Sequence, residues 1–347
     1  MKRTIIFLLM LAAVAAPAAA QFDNVGTSAA TFLKIDVGSR GTAVGGAWVA
    51  SANDVTAMYW NPAGLSRVGR LSVTFSHTDW ISDVAHQFVG VGIPLGESDV
   101  LGFGLTYLSI GDMKVTTWEQ TQGTGETFSA YDAAIGMTYS RSLSDRFRLG
   151  VQLKYVAESI SRSSASAIAV DVGAQYETAI KGLRLGMMIA NFGTPMKIEG
   201  EDLQVKVDPF PDAGSNPDRV PAYLATSQWS LPLYFQLGAS FDVIRSEAIG
   251  LTASMDFRDE RDYRSTIQFG AEATFFDVVS IRGGLQPRTD GAQKGSLVET
   301  EQTYVFTGGA GLNVNIPGTE WQAQFDYAYS DLQRLKSIHR LTLGISL

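Results

Sequence analysis

The stretch YDAAIGMTY, Tyr131–Tyr139, decides the fold class. Tyr131, Ala133, Ile135, Met137 and Tyr139 fall on one face of a strand, and Asp132, Ala134, Gly136 and Thr138 fall on the other, because side chains alternate with period two along an extended chain. The apolar face is bounded by tyrosines and the opposite face carries a carboxylate. The same unit recurs on both sides of it. Leu149, Val151, Leu153 and Tyr155 oppose Gly150, Gln152 and Lys154, and Ile168, Val170, Val172, Ala174 and Tyr176 oppose Asp171, Gly173 and Gln175. Leu231, Leu233, Phe235, Leu237 and Phe241 are set against Tyr234, Gln236, Gly238 and Asp242. Ile267, Phe269, Ala271, Ala273 and Phe275 alternate with Gln268, Gly270, Glu272 and Thr274, as Trp321, Ala323, Phe325, Tyr327 and Tyr329 do with Gln322, Gln324 and Asp326.

A soluble sandwich also alternates, and three features separate the cases. The units run to about 9–11 residues, the length a tilted strand needs to cross a bilayer. Their apolar faces end in Tyr, Trp or Phe, as the aromatic girdles of outer-membrane barrels do. Their other faces hold mid-strand carboxylates and amides, for which a sandwich core has no place. Fourteen strands are expected between Arg70 and Leu347, with short connections after the even-numbered strands. The long ones, Gly111–Glu126, Gly193–Gln228 and Pro287–Gln302, follow odd-numbered strands. Short turns at one rim, long loops at the other and an even strand number are the bacterial outer-membrane plan. The expected fold is all-β, a fourteen-stranded antiparallel transmembrane barrel.

One block breaks the alternation: GSRGTAVGGAWVASANDVTAMYWNPAGL, Gly38–Leu65. Gly38, Gly41, Gly45 and Gly46 allow backbone to pass close to backbone. Asn53 and Asp54 are candidate caps for a short helix through Val55, Ala57 and Met58, which Pro62 stops. Such a block cannot fold alone. A barrel of fourteen strands has a lumen wider than side chains fill, so the block is expected as a small N-terminal helical plug inside it. Division of the chain follows: 1–20 a signal peptide, 21–69 the plug or hatch segment, 70–347 the barrel.

The run from Thr27 to Leu65, with FLKIDVGSRGTAVGGAWVA followed by NDVTAMYWNPAGL, resembles the start of the PorV/PorQ family of outer-membrane proteins. A related Asn-Pro-Ala element occurs in the long-chain fatty acid transporter family, which those proteins resemble in fold. The C-terminal run His339–Leu347, HRLTLGISL, is similar to the strand signal read by outer-membrane assembly machinery, although it ends in Leu rather than an aromatic residue. The family resemblance implies a plug motif at Gly38, Arg40, Gly45, Gly46, Asn53, Asp54, Trp60, Asn61, Pro62, Ala63 and Gly64.

Met1–Ala20 reads as a secretory signal: Lys2 and Arg3, an apolar run over Ile5–Ala16, and Ala18-Ala19-Ala20 before Gln21. That run is too short to span a bilayer as a helix. Without Lys2 and Arg3, 25 basic residues face 35 acidic ones, a formal charge of −10, which argues against a nucleic-acid partner. The chain has no cysteine, which excludes disulfides, thiolate metal sites and cysteine nucleophiles. His77, His86 and His339 are scattered, and no catalytic or metal-binding spacing emerges, so neither enzymatic activity nor a cofactor is expected.

Charge on the lipid face would cost about 2–4 kcal/mol for Arg or Lys at the midplane, so Asp132, Lys154, Asp171, Arg184, Asp242, Asp256, Glu272, Arg282 and Asp326 are expected to face the lumen. They would line a polar conduit, dock the N-terminal segment through Lys34, Asp36, Arg40 and Asp54, or simply be solvated. The loop Gly193–Gln228 holds five prolines, which stiffen it. With Pro209, Phe210, Pro211, Tyr223 and the neighbouring Trp229 it is a candidate docking surface, or else a rigid lid. The resemblance implies a non-enzymatic outer-membrane component associated with type IX protein secretion, binding exported proteins or secretion machinery. The alternative is a transporter of fatty acids or other hydrophobic small molecules. An apolar pocket beside Trp48, Met58, Tyr59 and Trp60 with a laterally opening strand would favour transport; a sealed lumen and a groove between loops would favour protein handling.

Overall fold

The computed structural model of the protein describes residues 26–208, 220–290, 301–332 and 337–347. Its wall is built from β1 (Ser72–Asp79), β2 (Ala85–Pro94), β3 (Asp99–Lys114), β4 (Thr127–Ser144), β5 (Phe147–Ile160), β6 (Ser163–Glu177) and β7 (Leu183–Gly193). The second half is β8 (Tyr234–Arg245), β9 (Ile249–Glu260), β10 (Thr266–Phe275), β11 (Val279–Asp290), β12 (Glu301–Asn315), β13 (Gln322–Asp331) and β14 (Ser337–Ser346). Each strand pairs antiparallel with its neighbours in sequence, and β1 pairs with β14 from Ser72↔Ser346 to Asp79↔His339. The sheet therefore closes into a fourteen-stranded barrel with no edge. In lipid that closure satisfies every backbone donor and acceptor of the wall, which an open sheet cannot do.

The alternation sorts as period two requires. Ile135, Leu153 and Ile168 are exposed on the outer surface, while Thr138, Gln152 and Asp171 are buried on the inner one. Apolar residues outside and polar residues inside invert the arrangement of a soluble protein. Connections after even-numbered strands are short, the longest being 316–321, and they define one rim. Long connections gather at the other rim. The longest of these, 194–233, has structure of its own: Gln204–Val207 pairs with Val220–Tyr223, and Glu199–Gly200 pairs with the start of β6. Pro209, Phe210 and Pro211, and the signal segment 1–20, lie outside the described residues. Leu231, placed on the lipid face by alternation, is instead buried with Met196 and Ala169. The chain there has not yet entered β8; it folds back over the mouth, where Asn191 Nδ2 donates to the Pro232 carbonyl.

Residues 28–70 thread the lumen from one rim to the other. At the long-loop rim Ser28 bridges to Ser230 and the Ala30 N–H donates to Glu158 of β5 at 2.8 Å. At the short-turn rim Arg67 pairs with Glu177, which also takes Arg148. Helix is sparse in this inward segment: α1 (Ser39–Ala43), α2 (Ala57–Trp60) and two short 3-10 turns at Thr31–Lys34 and Pro62–Arg67. Asp54 accepts from the Thr56 N–H, fixing the turn that leads into α2, and Asn53 accepts from Arg40, so neither side chain caps the helix. Pro62 opens the next turn, where its missing N–H costs nothing.

Wall glycines seat the segment. Gly150 faces Pro62, Gly173 faces Asn61, Gly186 faces Val49, Gly270 faces Val44 and Gly284 faces Gly45. A methyl group at any of these would come closer than real Cβ atoms ever do. At Gly150, Gly186, Gly270 and Gly284 the opposing atoms include segment backbone, which cannot rotate aside.

Two expectations follow for equilibrium unfolding in lipid vesicles. Gly270→Val overpacks the wall against Val44 and should lower stability by about 1–3 kcal/mol, whereas Gly283→Ala, with nothing within 4 Å, should be neutral. Ile135→Arg, mid-strand on the lipid face, should cost about 2–4 kcal/mol, while Trp118→Arg in the exposed β3–β4 loop should change stability by about 0.5 kcal/mol or less.

Candidate functional site

The tryptophan-asparagine-proline turn is the segment's own anchor. Trp60 Nε1 donates to the Val37 carbonyl at 2.7 Å, and its indole lies over Gly41, where a Cβ would clash. Asn61 is fully buried and uses both ends of its amide: Nδ2 donates to Val49 O (2.8 Å) and Ala174 O (3.0 Å), and Oδ1 accepts from the Ala63 N–H. Gln175 of β6 donates to Val49 O and Ala52 O from the wall side. Gly64 packs on the Ala52 carbonyl, Gly46 on Gln268, and Gly38 holds φ 78° beneath Thr56. Each of these bonds satisfies a group that would cost about 1–3 kcal/mol if buried unpaired.

Charges on the inner wall meet partners in separate groups. Arg40 reaches Asp54 at 3.2 Å and Glu272 at 3.5 Å, with its guanidinium 4.8 Å from the Trp48 ring centre. Glu272 pairs in turn with Arg282, which also holds Asp326 at 2.6 Å. Across the lumen Lys154 pairs with Asp171 at 2.7 Å and donates to Asn191, whose N–H donates back to Asp171. Nearer the short-turn rim Arg184 and Asp242 pair at 2.7 Å, steadied by Ser240 and Thr252. Asp256 accepts from the Val49 N–H and Gln236, and its other oxygen is buried without a partner among the described residues. Asp132 lies opposite Glu158 in the β4–β5 register. Lys34 sits between Glu260 (2.8 Å) and Asp262 (3.0 Å).

On the β2–β7 side little space remains beside the segment. Phe32, Leu33, Ile35, Met58, Tyr59 and Phe88 approach the Lys154–Asp171–Asn191 group across a cavity of about 30 Å³, room for a water or so. Trp48, Met58 and Trp60 are themselves buried. Above them, at the long-loop mouth, a cleft of about 310 Å³ lies between Ala29, Ala30, Ala165, Met196, Ile198 and Trp229. Trp229 is half exposed there and pairs through its backbone with Met196. Tyr223 is exposed at the end of the small hairpin.

Several lumen residues escaped the sequence reading. Arg258 stacks 3.9 Å from the Tyr234 ring centre and pairs with Glu260, and Arg340 donates to Thr42 and Thr78. Both stand on the polar face of an alternating strand, which is the signal that would have found them. Phe32, Met196 and Leu231 carry no such signal, because the cluster they form joins three distant parts of the chain.

No curated protein matches the sequence. Among solved structures the fold is similar to the CymD monoaromatic hydrocarbon channel (TM-score 0.55, 12% identity, 94% of this chain and 98% of that one). It is also similar to the toluene transporter TodX of Pseudomonas putida (0.53, 11%, 89% and 97%) and to a FadL homologue of Pseudomonas aeruginosa (0.52, 13%, 89% and 97%). At such identities these likenesses establish the barrel architecture and not a cargo. Residues 18–202, more than half the chain, match the model of the type IX secretion system protein PorV. A closed fourteen-stranded barrel whose first half carries that family's sequence is an outer-membrane protein, and the chain belongs to the PorV family.

Proposed function

We propose that this protein is a non-enzymatic component of type IX secretion that engages exported proteins, or the machinery handling them, at its long-loop mouth. The segment seated along the lumen carries this reading. Residues 28–70 occupy the barrel from rim to rim, held by backbone contact at the wall glycines and by buried bonds from Asn61, Gln175 and Gln236. The cavity next to Met58 and Tyr59 has no room for a fatty acid or an aromatic hydrocarbon. Every wall strand stays paired on both sides, so the outer surface offers no lateral gap among the described residues. The apolar opening at the mouth is the cleft lined by Trp229, and the hairpin bearing Tyr223 belongs to the same long loop. An aromatic side chain half-exposed at the edge of an apolar cleft, as Trp229 is, is the kind of anchor that dominates protein interfaces.

One observation favours the transport reading. The β6–β7 register shifts between Val170 and Val172, and Asn191 adopts φ 61° opposite that bulge, beside the small apolar cavity. A path through the wall would open there. The protein-handling reading outweighs it because the ladder is intact on both sides of the bulge.

Purification of the tagged protein from its native outer membrane in mild detergent, with mass spectrometry of proteins and extracted lipids, tests both. Exported proteins or secretion subunits should co-purify, and Trp229→Ala with Tyr223→Ala should weaken their retention by about 10–30-fold, the loss of an anchor worth roughly 2 kcal/mol. A stoichiometric apolar ligand with no protein partner would overturn the proposal in favour of transport.

A further inference from the structure

We propose that a polar side passage runs the height of the lumen between the inward segment and the wall from β9 through β14 to β1, shut at Arg340, and that it admits water and small inorganic anions. Three voids line up along that wall. A cavity of about 260 Å³ opens toward the long-loop rim between Lys34, Thr42, Arg258, Glu260, Gln286 and Arg340. A cavity of about 330 Å³ opens at the short-turn rim between Arg40, Asp54, Arg67, Arg70, Asn313 and Gln324. Between them lies a void of about 10 Å³, enough for a single water, bounded by the hydroxyls of Ser39, Thr56, Thr74 and Thr342 and by Arg40, Asp54 and Asp326. It shares Arg40, Asp54, Thr74, Gln324 and Gly344 with the lower cavity, so those two adjoin.

Arg340 separates the middle void from the upper cavity. Its guanidinium donates to Thr42 Oγ1 on the segment and Thr78 Oγ1 on β1 at 2.5 and 2.7 Å. Directly below, the hydroxyls of Ser39, Thr342 and Ser76 form a chain with 2.9 Å steps. Arg282 in the same wall is clamped by Glu272 and Asp326. The bonds of Arg340 to Thr42 and Thr78 go to neutral acceptors, which grip a guanidinium less firmly than the two carboxylates that hold Arg282. The carboxylates lining the middle void are paired, Asp54 with Arg40 and Asp326 with Arg282, so a cation at the narrowest point favours anions over cations. Among the described residues the opposite wall has no comparable string: there Gly150, Gly173 and Gly186 bring the segment into direct contact with the strands.

Planar-bilayer recording of the full-length protein in a potassium chloride gradient tests the passage. Wild-type openings should be rare and anion-selective, Arg340→Ala should raise the conductance about tenfold and lose the selectivity, and Thr138→Ala on the far wall should behave as wild type. Because the chain has no cysteine, a second measurement does not depend on the arginine variant folding well. A single cysteine at Thr342→Cys should react with a small membrane-impermeant thiol reagent, while one at Thr138→Cys should not. An unreactive Thr342→Cys, a non-conducting Arg340→Ala in correctly folded protein, or a Thr138→Ala that conducts as well as Arg340→Ala would each overturn the proposal.

Discussion

Backbone meets backbone inside this barrel, and the rest of the architecture depends on that contact. A fourteen-stranded wall leaves a lumen that its own side chains cannot fill. Glycines on the inner face let residues 28–70 lie directly against the strands, where any larger residue would hold the segment off. That proximity places the buried amides of Asn61, Gln175 and Gln236 within bonding distance of segment carbonyls. It also lets the Val49 N–H reach Asp256, two groups 207 residues apart in the chain.

Electrostatics follows from the same inversion. Lipid outside forbids charge on the outer face, so the strands carry their carboxylates and arginines inward, where water is scarce once the segment is seated. Most of those inward charges therefore find partners: Arg282 between Glu272 and Asp326, Lys154 against Asp171, Arg184 against Asp242. Replacing one partner of such a pair strands the other, which costs more than the pair itself contributes. These pairs tie strand to strand, and Lys34–Glu260, Arg40–Glu272 and Arg67–Glu177 tie the segment to the wall. Apolar surface open to a partner is left at the mouth, around Trp229, Met196 and Ile198.

The barrel was legible because period two is a local signal, repeated in strand after strand, and because turn length alternates along the chain. YDAAIGMTY and its counterparts state the two faces of the wall without reference to anything distant. The block Gly38–Leu65 stood out by its small residues and its tryptophan-asparagine-proline turn. What the block touches was not legible, since those contacts join residues far apart: Ser39 with Thr342 across 303 positions, Arg40 with Glu272 across 232. A glycine inside an alternating strand does not announce which atom it faces. Leu231 was misplaced for a related reason: alternation carried one turn too far cannot tell a strand from a chain folding back over the mouth.

Locking the segment to the wall tests the central claim that the protein works at its mouth with the segment in place. Ser39 and Thr342 have hydroxyls 2.9 Å apart, one on the segment and one on β14, and the chain has no other cysteine to interfere with a Ser39→Cys, Thr342→Cys disulfide. With the bond formed, export by the type IX pathway in the native host should match that of the reduced form. Export that fails when the disulfide closes and returns on reduction would contradict the account, because it would mean that the segment must move and the lumen must open.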